Sequence, residues 1–308
     1  MTVESMHRRA LVTGGAGFLG ARLVRVLCAR GWQVTLLVRP TTVLPEFPSR
    51  TAVLVDDGGM DGLLAGIGQA APDVVFHLAT RFQAAHAPED VEPLLRDNVL
   101  FPARLLEALA DTDCRRVVNA GTLWQAPAGP GSAPVNLYAA TKQAFADLLA
   151  YYVAAQGFTS LTLTLSDTYG PHDPRGKLFA QLRSAARRQE TLPMSPGGQL
   201  LDLVHAEDAV AAFLAAADRI LSPGFTGAES WAVTSGQLHP LREVVELYRR
   251  LNGGLPRVAW GARSYRPQEV MVPVPGPPLP GWQPRIGLED GLRALLASED
   301  SPLEGPAS

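Results

Sequence analysis

The sequence predicts an α/β fold built on a doubly wound parallel sheet, with a smaller lobe contributed by its C-terminal part. Three observations lead there. Over the first two thirds of the chain, short runs of β-branched residues alternate with helix-period patterns, the signature of βαβ units. A glycine-rich turn, Thr13 to Gly20, joins the first of these runs to the first helical pattern. The chain has 308 residues, 46% of them hydrophobic, enough for one large α/β domain and a smaller lobe.

Strands are expected at residues 10–13, 33–38, 51–55, 74–78, 116–120 and 160–165, each a short apolar run bounded by polar or turn residues. The clearest helices between them are 18–30, stopped by Gly31 at a position that favours a left-handed residue, then 91–110 and 138–155. From Gly170 onward proline and glycine become dense, around 171–176, 193–198 and 273–284. That change in texture marks a substrate lobe. The run EDAVAAFLAAADR, 207–219, still reads as an amphipathic helix that packs back on the first domain. The expected division is therefore a dinucleotide-binding domain over 1–170 with 200–222 returning to it, and an interleaved lobe from 171–199 and 223–308. A loose tail is expected over 298–308.

Composition narrows the function classes. A net charge of −3 with acids and bases interspersed offers no basic footprint for nucleic acid and no polybasic patch for a membrane. The opening MTVESMHRRA has no apolar core of a secretory leader, and no stretch approaches the roughly 18 apolar residues that span a bilayer. Cys28 and Cys114 fall in a helix and at a strand edge, which suggests neither a disulfide framework nor a metal cluster. His172 and His205 lack ligand spacing to acids or cysteines, so no metal is expected. A small-molecule partner and a reducing cytoplasm fit best.

The turn LVTGGAGFLGARLV sets Gly15, Gly17 and Gly20 in G-x-G-x-x-G spacing, directly after a strand and at the start of a helix. Glycines there permit a tight turn, a close approach of backbone to pyrophosphate and close helix–strand packing, and the helix N-terminus favours the phosphates. The fold is thus of the Rossmann type. Gly14, Gly17, Phe18, Leu19 and Gly20 are the residues expected against the dinucleotide. At the end of the second strand, where an NAD-preferring fold presents an acid to the ribose, VTLLV runs into Arg39. A guanidinium suits a 2′-phosphate by charge-assisted bonding, which favours NADP(H), although a surface arginine following a strand is the plainer alternative. Asp56, ending the third strand, is placed to meet the adenine amino group or simply to cap the strand.

Lysine occurs only at Lys142 and Lys177. Tyr138 and Lys142 lie four residues apart at the start of a helix, on one face, and in a chain with two lysines and six tyrosines this pairing stands out. A protonated lysine beside a tyrosine favours the phenolate and is expected to lower the tyrosine pKa, which suits an acid–base catalyst. In reduction Tyr138 would protonate a carbonyl oxygen while hydride reaches the carbonyl carbon. A third member, a hydroxyl that holds the substrate oxygen, should follow the fifth strand. In RRVVNAGTLWQ, Thr122 is the available hydroxyl, with a capping role as its alternative.

Taken together, TGGAGFLG, HLAT at 77–80, Asn98, the Tyr138/Lys142 pair, DTYGPHDP at 167–174 and LDLVHAEDAVAAF at 201–213 resemble the extended short-chain dehydrogenase/reductase family. The likeness runs from about Arg9 to GWQP at 281–284. It implies contacts to the cofactor from Leu78, Ala79, Thr80, Asn98 and Thr168, besides Tyr138 and Lys142. It implies contacts to substrate from Arg81, Thr122, Trp124, Lys177, Leu178 and Arg266, with Lys177 and Leu178 near a nucleotide and Arg266 near a diphosphate. Most of the family acts on nucleotide-linked sugars, and family habit implies a homodimer through the helices near 91–110 and 138–155.

NAGTLWQ, PVNLYAATKQAF and LSDTYGPHDPRGKLF resemble more narrowly the nucleotide-sugar 4-ketoreductases of the CDP-abequose synthase kind. The family's 4,6-dehydratases carry Asp-Glu after the active-site threonine, whereas Leu123 and Trp124 follow Thr122 here. Aligning on the family's VYG element, here LWQ at 123–125, instead places Ala120 where the catalytic hydroxyl often lies. The function expected is NADPH-dependent reduction of the 4-keto group of a dTDP- or CDP-linked 4-keto-6-deoxyhexose. A nucleotide-sugar 4-epimerase and a non-catalytic NADP-sensing protein are the alternatives.

Overall fold

The computed structural model describes residues 8–300, and most of the tail expected over 298–308 lies outside the described residues. In chain order the strands and helices are β1 (Arg9–Thr13), α1 (Phe18–Ala29), β2 (Gln33–Val38), β3 (Thr51–Val55), α2 (Met60–Ala70), β4 (Val74–His77), α3 (Val91–Leu95), α4 (Phe101–Ala110), β5 (Arg116–Thr122) and α5 (Leu137–Gln156). There follow β6 (Thr159–Leu165), β7 (Asp167–Tyr169), α6 (Leu178–Arg187), β8 (Thr191–Met194), β9 (Leu200–His205) and α7 (Ala206–Ile220). The chain closes with β10 (Ala228–Val233), β11 (Leu238–Pro240), α8 (Leu241–Leu251), β12 (Arg257–Trp260) and α9 (Leu288–Asp300).

Seven strands form one parallel sheet in the order β3-β2-β1-β4-β5-β6-β10. The order reverses between β1 and β4, and in open α/β sheets ligands bind beyond the strand C-termini at that point. Thr13 ends β1 level with Leu37 of β2 and His77 of β4, so the glycine turn leaves the sheet at the crevice. The strand pleat sends alternate residues to opposite faces. Val12, Phe76 and Val118 pack with Leu23 of α1 and Phe213 of α7, while Leu11, Val75 and Val117 pack with Leu106 of α4 and Phe145 of α5. Each such fully buried apolar side chain contributes about 1.5–3 kcal/mol.

Local sequence sets the helix ends. The Asn136 side chain caps α5 by accepting the Ala139 N–H at 2.9 Å, and Gly157 closes it in the left-handed conformation. Helix α7 begins with Glu207 and Asp208, acids that suit the positive end of the helix dipole.

Three features differ from the sequence expectation. The helix expected over 91–110 is interrupted by a π turn, Arg96–Leu100, between α3 and α4. Pro102 explains it, because proline has no N–H for the carbonyl four residues back and its ring crowds that carbonyl. Strand β10 belongs to the main sheet, beside β6, although 223–308 was expected in the lobe. Strand β9 lies with β7 and β11 in a separate three-stranded sheet, although its Val204, like α7, packs into the core of the main sheet. The lobe has its own core, in which Phe179, Leu182, Val244, Tyr248 and Leu292 surround Tyr169.

Candidate active site

The turn after β1 fits a dinucleotide pyrophosphate. Gly14 has φ +72°, and a Cβ there would meet the Ala79 backbone nitrogen at 2.6 Å. A Cβ on Gly20 would overlap the Gly14 carbonyl oxygen, whereas one on Gly15 would meet only side chains, chiefly that of Leu36. The turn role expected of Gly15 therefore falls to Gly14, and the working spacing is Gly14, Gly17, Gly20. Gly17 is the N-cap of α1, no side chain caps the helix, and its first turn holds no acid. The N–H groups at that end are left for an anion. Leu19 packs against the core, and Phe18 is buried with the guanidiniums of Arg22 and Arg175 each 4.3 Å from its ring centre. On the β4 side, Thr13 Oγ1 pairs with His77 Nδ1 at 2.8 Å and accepts the Ala79 N–H, which ties the Leu78–Ala79 segment to the turn. Burial holds His77 well below the usual histidine range.

At the far end of the crevice Arg39 is exposed and pairs with Asp97 at 3.2 Å. Asp97 also receives Arg81 at 2.8 Å and Arg96 at 3.2 Å, so three guanidiniums share one carboxylate. Asp56 accepts the Gly58 N–H and the Arg104 guanidinium while its own N–H bonds Val38. Its capping role is thus present, and Asp56 also lines the crevice.

Tyr138 and Lys142 occupy the first turns of α5, 8% and 3% exposed, and both line the same groove as the glycine turn. Burial pushes the Tyr138 phenol up to about 12 and Lys142 down to about 8. The sequence led us to expect a lowered tyrosine. The difference is physical: desolvation of the phenolate outweighs the opposing Thr80 hydroxyl and the Arg175 charge, and Asp167 adds to the rise. Asn98, buried within the π turn, accepts the Thr80 hydroxyl at 3.1 Å and the Arg81 N–H at 2.7 Å. It donates to the Arg81 carbonyl and to Thr141 Oγ1, which in turn donates to the Tyr138 carbonyl.

Strand β5 runs two residues beyond its expected end, to Thr122. The Thr122 hydroxyl accepts the Trp124 N–H at 3.3 Å, and the Thr122 N–H is held by Gln125 Oε1. Trp124 faces Phe82, with ring centres 6.0 Å apart, and Phe82 stands edge-on to Tyr138 at 5.0 Å. Above these rings lie two cations, Lys177 at 5.3 Å from Phe82 and Arg266 at 5.9 Å from Trp124. Lys177 pairs with Asp167 at 3.2 Å, and Leu178 opens α6 on the groove wall. Thr168, implied as a cofactor contact, lies in β7 and lines the groove, and its hydroxyl and carbonyl hold Arg175. Arg175 is also clamped by Asp173 at 2.6 Å. It acts as a strap over Phe18.

The groove joining all of these holds about 1500 Å³. The sequence reading missed Phe82, Asp97, Asp167 and Thr141. Phe82, a few residues past β4, carried the one usable signal, an apolar residue in a loop beyond a strand C-terminus at the crevice. Among the described residues no three His, Cys, Asp or Glu side chains gather as a metal-holding group, and no helix is long and apolar enough to cross a membrane.

Known proteins share this fold. The chain is 27% identical to a CDP-abequose synthase of Yersinia pseudotuberculosis over 268 residues, 86% of this chain and 91% of that one. It is 32% identical over 226 residues to a 3-diazoavenalumate denitrifying reductase of a Streptomyces species, covering 68% and 72% of the two chains. A UDP-glucose 4-epimerase of Thermus thermophilus, solved in complex with NAD, matches the fold with a TM-score of 0.80 at 27% identity, over 94% of this chain and 98% of that one. The sequence profile of one family matches residues 10–224, spanning the glycine turn, the Tyr138/Lys142 pair and α7. The chain belongs to the NAD dependent epimerase/dehydratase family.

Proposed function

We propose that the protein reduces the 4-keto group of a CDP- or dTDP-linked 4-keto-6-deoxyhexose, using NADPH, in the cytoplasm. The observation that carries this reading is the end of β5. Thr122, Leu123 and Trp124 bring a hydroxyl and a ring to the groove but no carboxylate, beside a phenol that burial keeps protonated at pH 7. The end of β5 thus carries no acid to act as a base beside that donor, and this suits net reduction rather than dehydration, which must also remove a proton from carbon.

Tyr138 gives its proton to the ketone oxygen. Thr122, whose oxygen already accepts the Trp124 N–H, keeps its hydrogen free to donate to the same oxygen. Lys142, charged below about pH 8, stabilises the negative charge that grows on the phenol oxygen. What a bound NADPH supplies is the hydride for the carbonyl carbon. Gly14, Gly17 and Gly20 would take its pyrophosphate, and Arg39, backed by the Arg96–Asp97 pair, its 2′-phosphate. Lys177 and Arg266 suit the diphosphate of the substrate. The Phe82 and Trp124 faces suit the apolar side of a deoxyhexose. The likeness to the Yersinia synthase supports the same reaction class.

Incubation with NADPH and CDP- or dTDP-4-keto-6-deoxyglucose should consume the reduced cofactor and give one C4 epimer by NMR. No oxidation of NADPH with CDP, dTDP or GDP versions ends this reading. Nucleotide-sugar 4-epimerisation is the second reading, supported by the likeness to the Thermus epimerase. It requires a cofactor that stays bound through purification and C4 epimers that interconvert without net oxidation. For the assembly we propose a homodimer through α3, the π turn and α5.

A further inference from the structure

Around the Tyr138 phenol, Arg175 and Asp167 act from the segment after β6, and Phe82 presents only carbon. One hydroxyl, on the loop after β4, interacts directly with the phenol, and it belongs to Thr80.

We propose that Thr80 is a positioning residue for Tyr138, accepting the phenol hydrogen in the resting site and donating to the phenol oxygen once Tyr138 has given its proton away. The assignment rests on the reading of Tyr138 as the proton donor. The geometry of the surrounding network supports it. Thr80 Oγ1 donates to Asn98 Oδ1 at 3.1 Å, which directs its lone pairs elsewhere, and a hydroxyl can accept while it donates. Asn98 Oδ1 also receives the Arg81 N–H at 2.7 Å, so it stays bonded if the Thr80 hydrogen turns to the phenol oxygen. The ring of bonds closes on α5: Asn98 donates to Thr141, and Thr141 to the Tyr138 carbonyl. Thr80 is therefore held in register with the helix turn that carries the phenol.

The two threonines divide the work. Thr122 accepts the Trp124 N–H and faces the groove from β5, whereas Thr80 is tied to Asn98 and to the phenol. The switch moves one hydroxyl hydrogen by rotation and breaks no covalent bond. It prepares the phenol oxygen to bear charge at the moment its proton leaves, which electrostatic stabilisation in a dry site requires.

The test uses Thr80→Val, which keeps the shape and removes the hydroxyl, Thr80→Ser, which restores it, and Thr122→Ala. In the NADPH-saturated protein, the Tyr138 ionisation is followed by NMR of tyrosine labelled at Cζ, with Tyr138→Phe assigning the signal. Thr80→Val should move that ionisation to higher pH by about one unit or out of range, and Thr80→Ser should return it toward the wild-type position. Thr122→Ala should leave it in place. Turnover should fall about tenfold or more in Thr80→Val and recover in Thr80→Ser. A Thr80→Val protein with wild-type ionisation overturns the proposal. If the wild-type protein reduces no 4-keto sugar, the substrate assignment falls, and the ionisation still decides the role of Thr80.

Discussion

Burial moves Tyr138 and Lys142 in opposite directions although they share one face of one helix. The phenol, at about 12, is an acid at every physiological pH, while the lysine, at about 8, changes charge near the upper end of that range. Reduction needs a protonated tyrosine and a charged lysine. The rate should therefore hold below about pH 8 and decline as pH rises through that value and Lys142 loses its proton, long before Tyr138 is affected. A pH–kcat profile checks this, and a decline placed on the acid side instead would contradict it. Tyr138→Phe should lower kcat by about 10²–10⁴-fold while NADPH still binds. At the other end of the crevice, Arg39→Ala should raise the KM for NADPH about tenfold or more and leave that for NADH little changed, because only one of the two carries the 2′-phosphate. An equal effect on both would remove Arg39 from cofactor choice. Tyr138, Lys142 and Arg39 were legible because each sits at a fixed offset from an element end. Phe82 and Asp97 were not, since their meaning comes from partners far along the chain, as when Asp97 gathers Arg81 and Arg39 or Phe82 meets Lys177.

At the scale of elements, the turn between β1 and α1 was readable in position but not in which glycine works. Periodicity and spacing allow either Gly14 or Gly15 to lead. Backbone geometry decides, since Gly14 alone of the two has a positive φ and lies against the Leu78–Ala79 backbone. Gly14→Ala and Gly20→Ala should each weaken NADPH binding by about tenfold or more and lower the melting temperature. Gly15→Ala asks mainly the Leu36 side chain to shift and should cost far less. Cofactor titration by fluorescence with the three variants measures the order, and a Gly15 variant weaker than the Gly14 variant would reverse the assignment. The main-sheet strands through β6 were legible to within two residues, because apolar runs bounded by turns mark them directly. The π turn was not, since its cause is a missing N–H at Pro102 inside an otherwise helical pattern. Its consequence reaches the site: the turn carries Asn98 inward, where it joins Thr80, Arg81 and Thr141. Strand β10 was hidden for a different reason. It is separated from its partner β6 by the whole β7–α7 excursion, and a pairing of that sequence distance leaves no local mark.

At the scale of the whole molecule, one surface stands out from the rest. Val91, Leu95 and Leu100 on α3 and the π turn are exposed, and so is Tyr151 on α5, the helix against which α3 packs. Val91 and Leu95 are four residues apart and share a face. Leu100, in the π turn, instead lines the groove beside Arg39 and Asp56. Meanwhile Leu94 and Asn98 hold the opposite, buried face. A second copy of the chain would bury this stripe against its own equivalent, since a twofold interface presents the same patch from both sides. Each leucine so buried adds about 1.5–3 kcal/mol. Light scattering should therefore give twice the mass of the 308-residue chain. A Leu95→Glu, Tyr151→Glu variant should run as a monomer with its far-UV spectrum intact, because neither side chain belongs to the core of the subunit. A wild-type monomer, or a variant that stays dimeric, would place the contact elsewhere. The outcome bears on catalysis as well, because the same segment that offers Leu95 outward holds Asn98 inward. Pairing would stiffen the π turn, and with it the network that ends on the phenol of Tyr138.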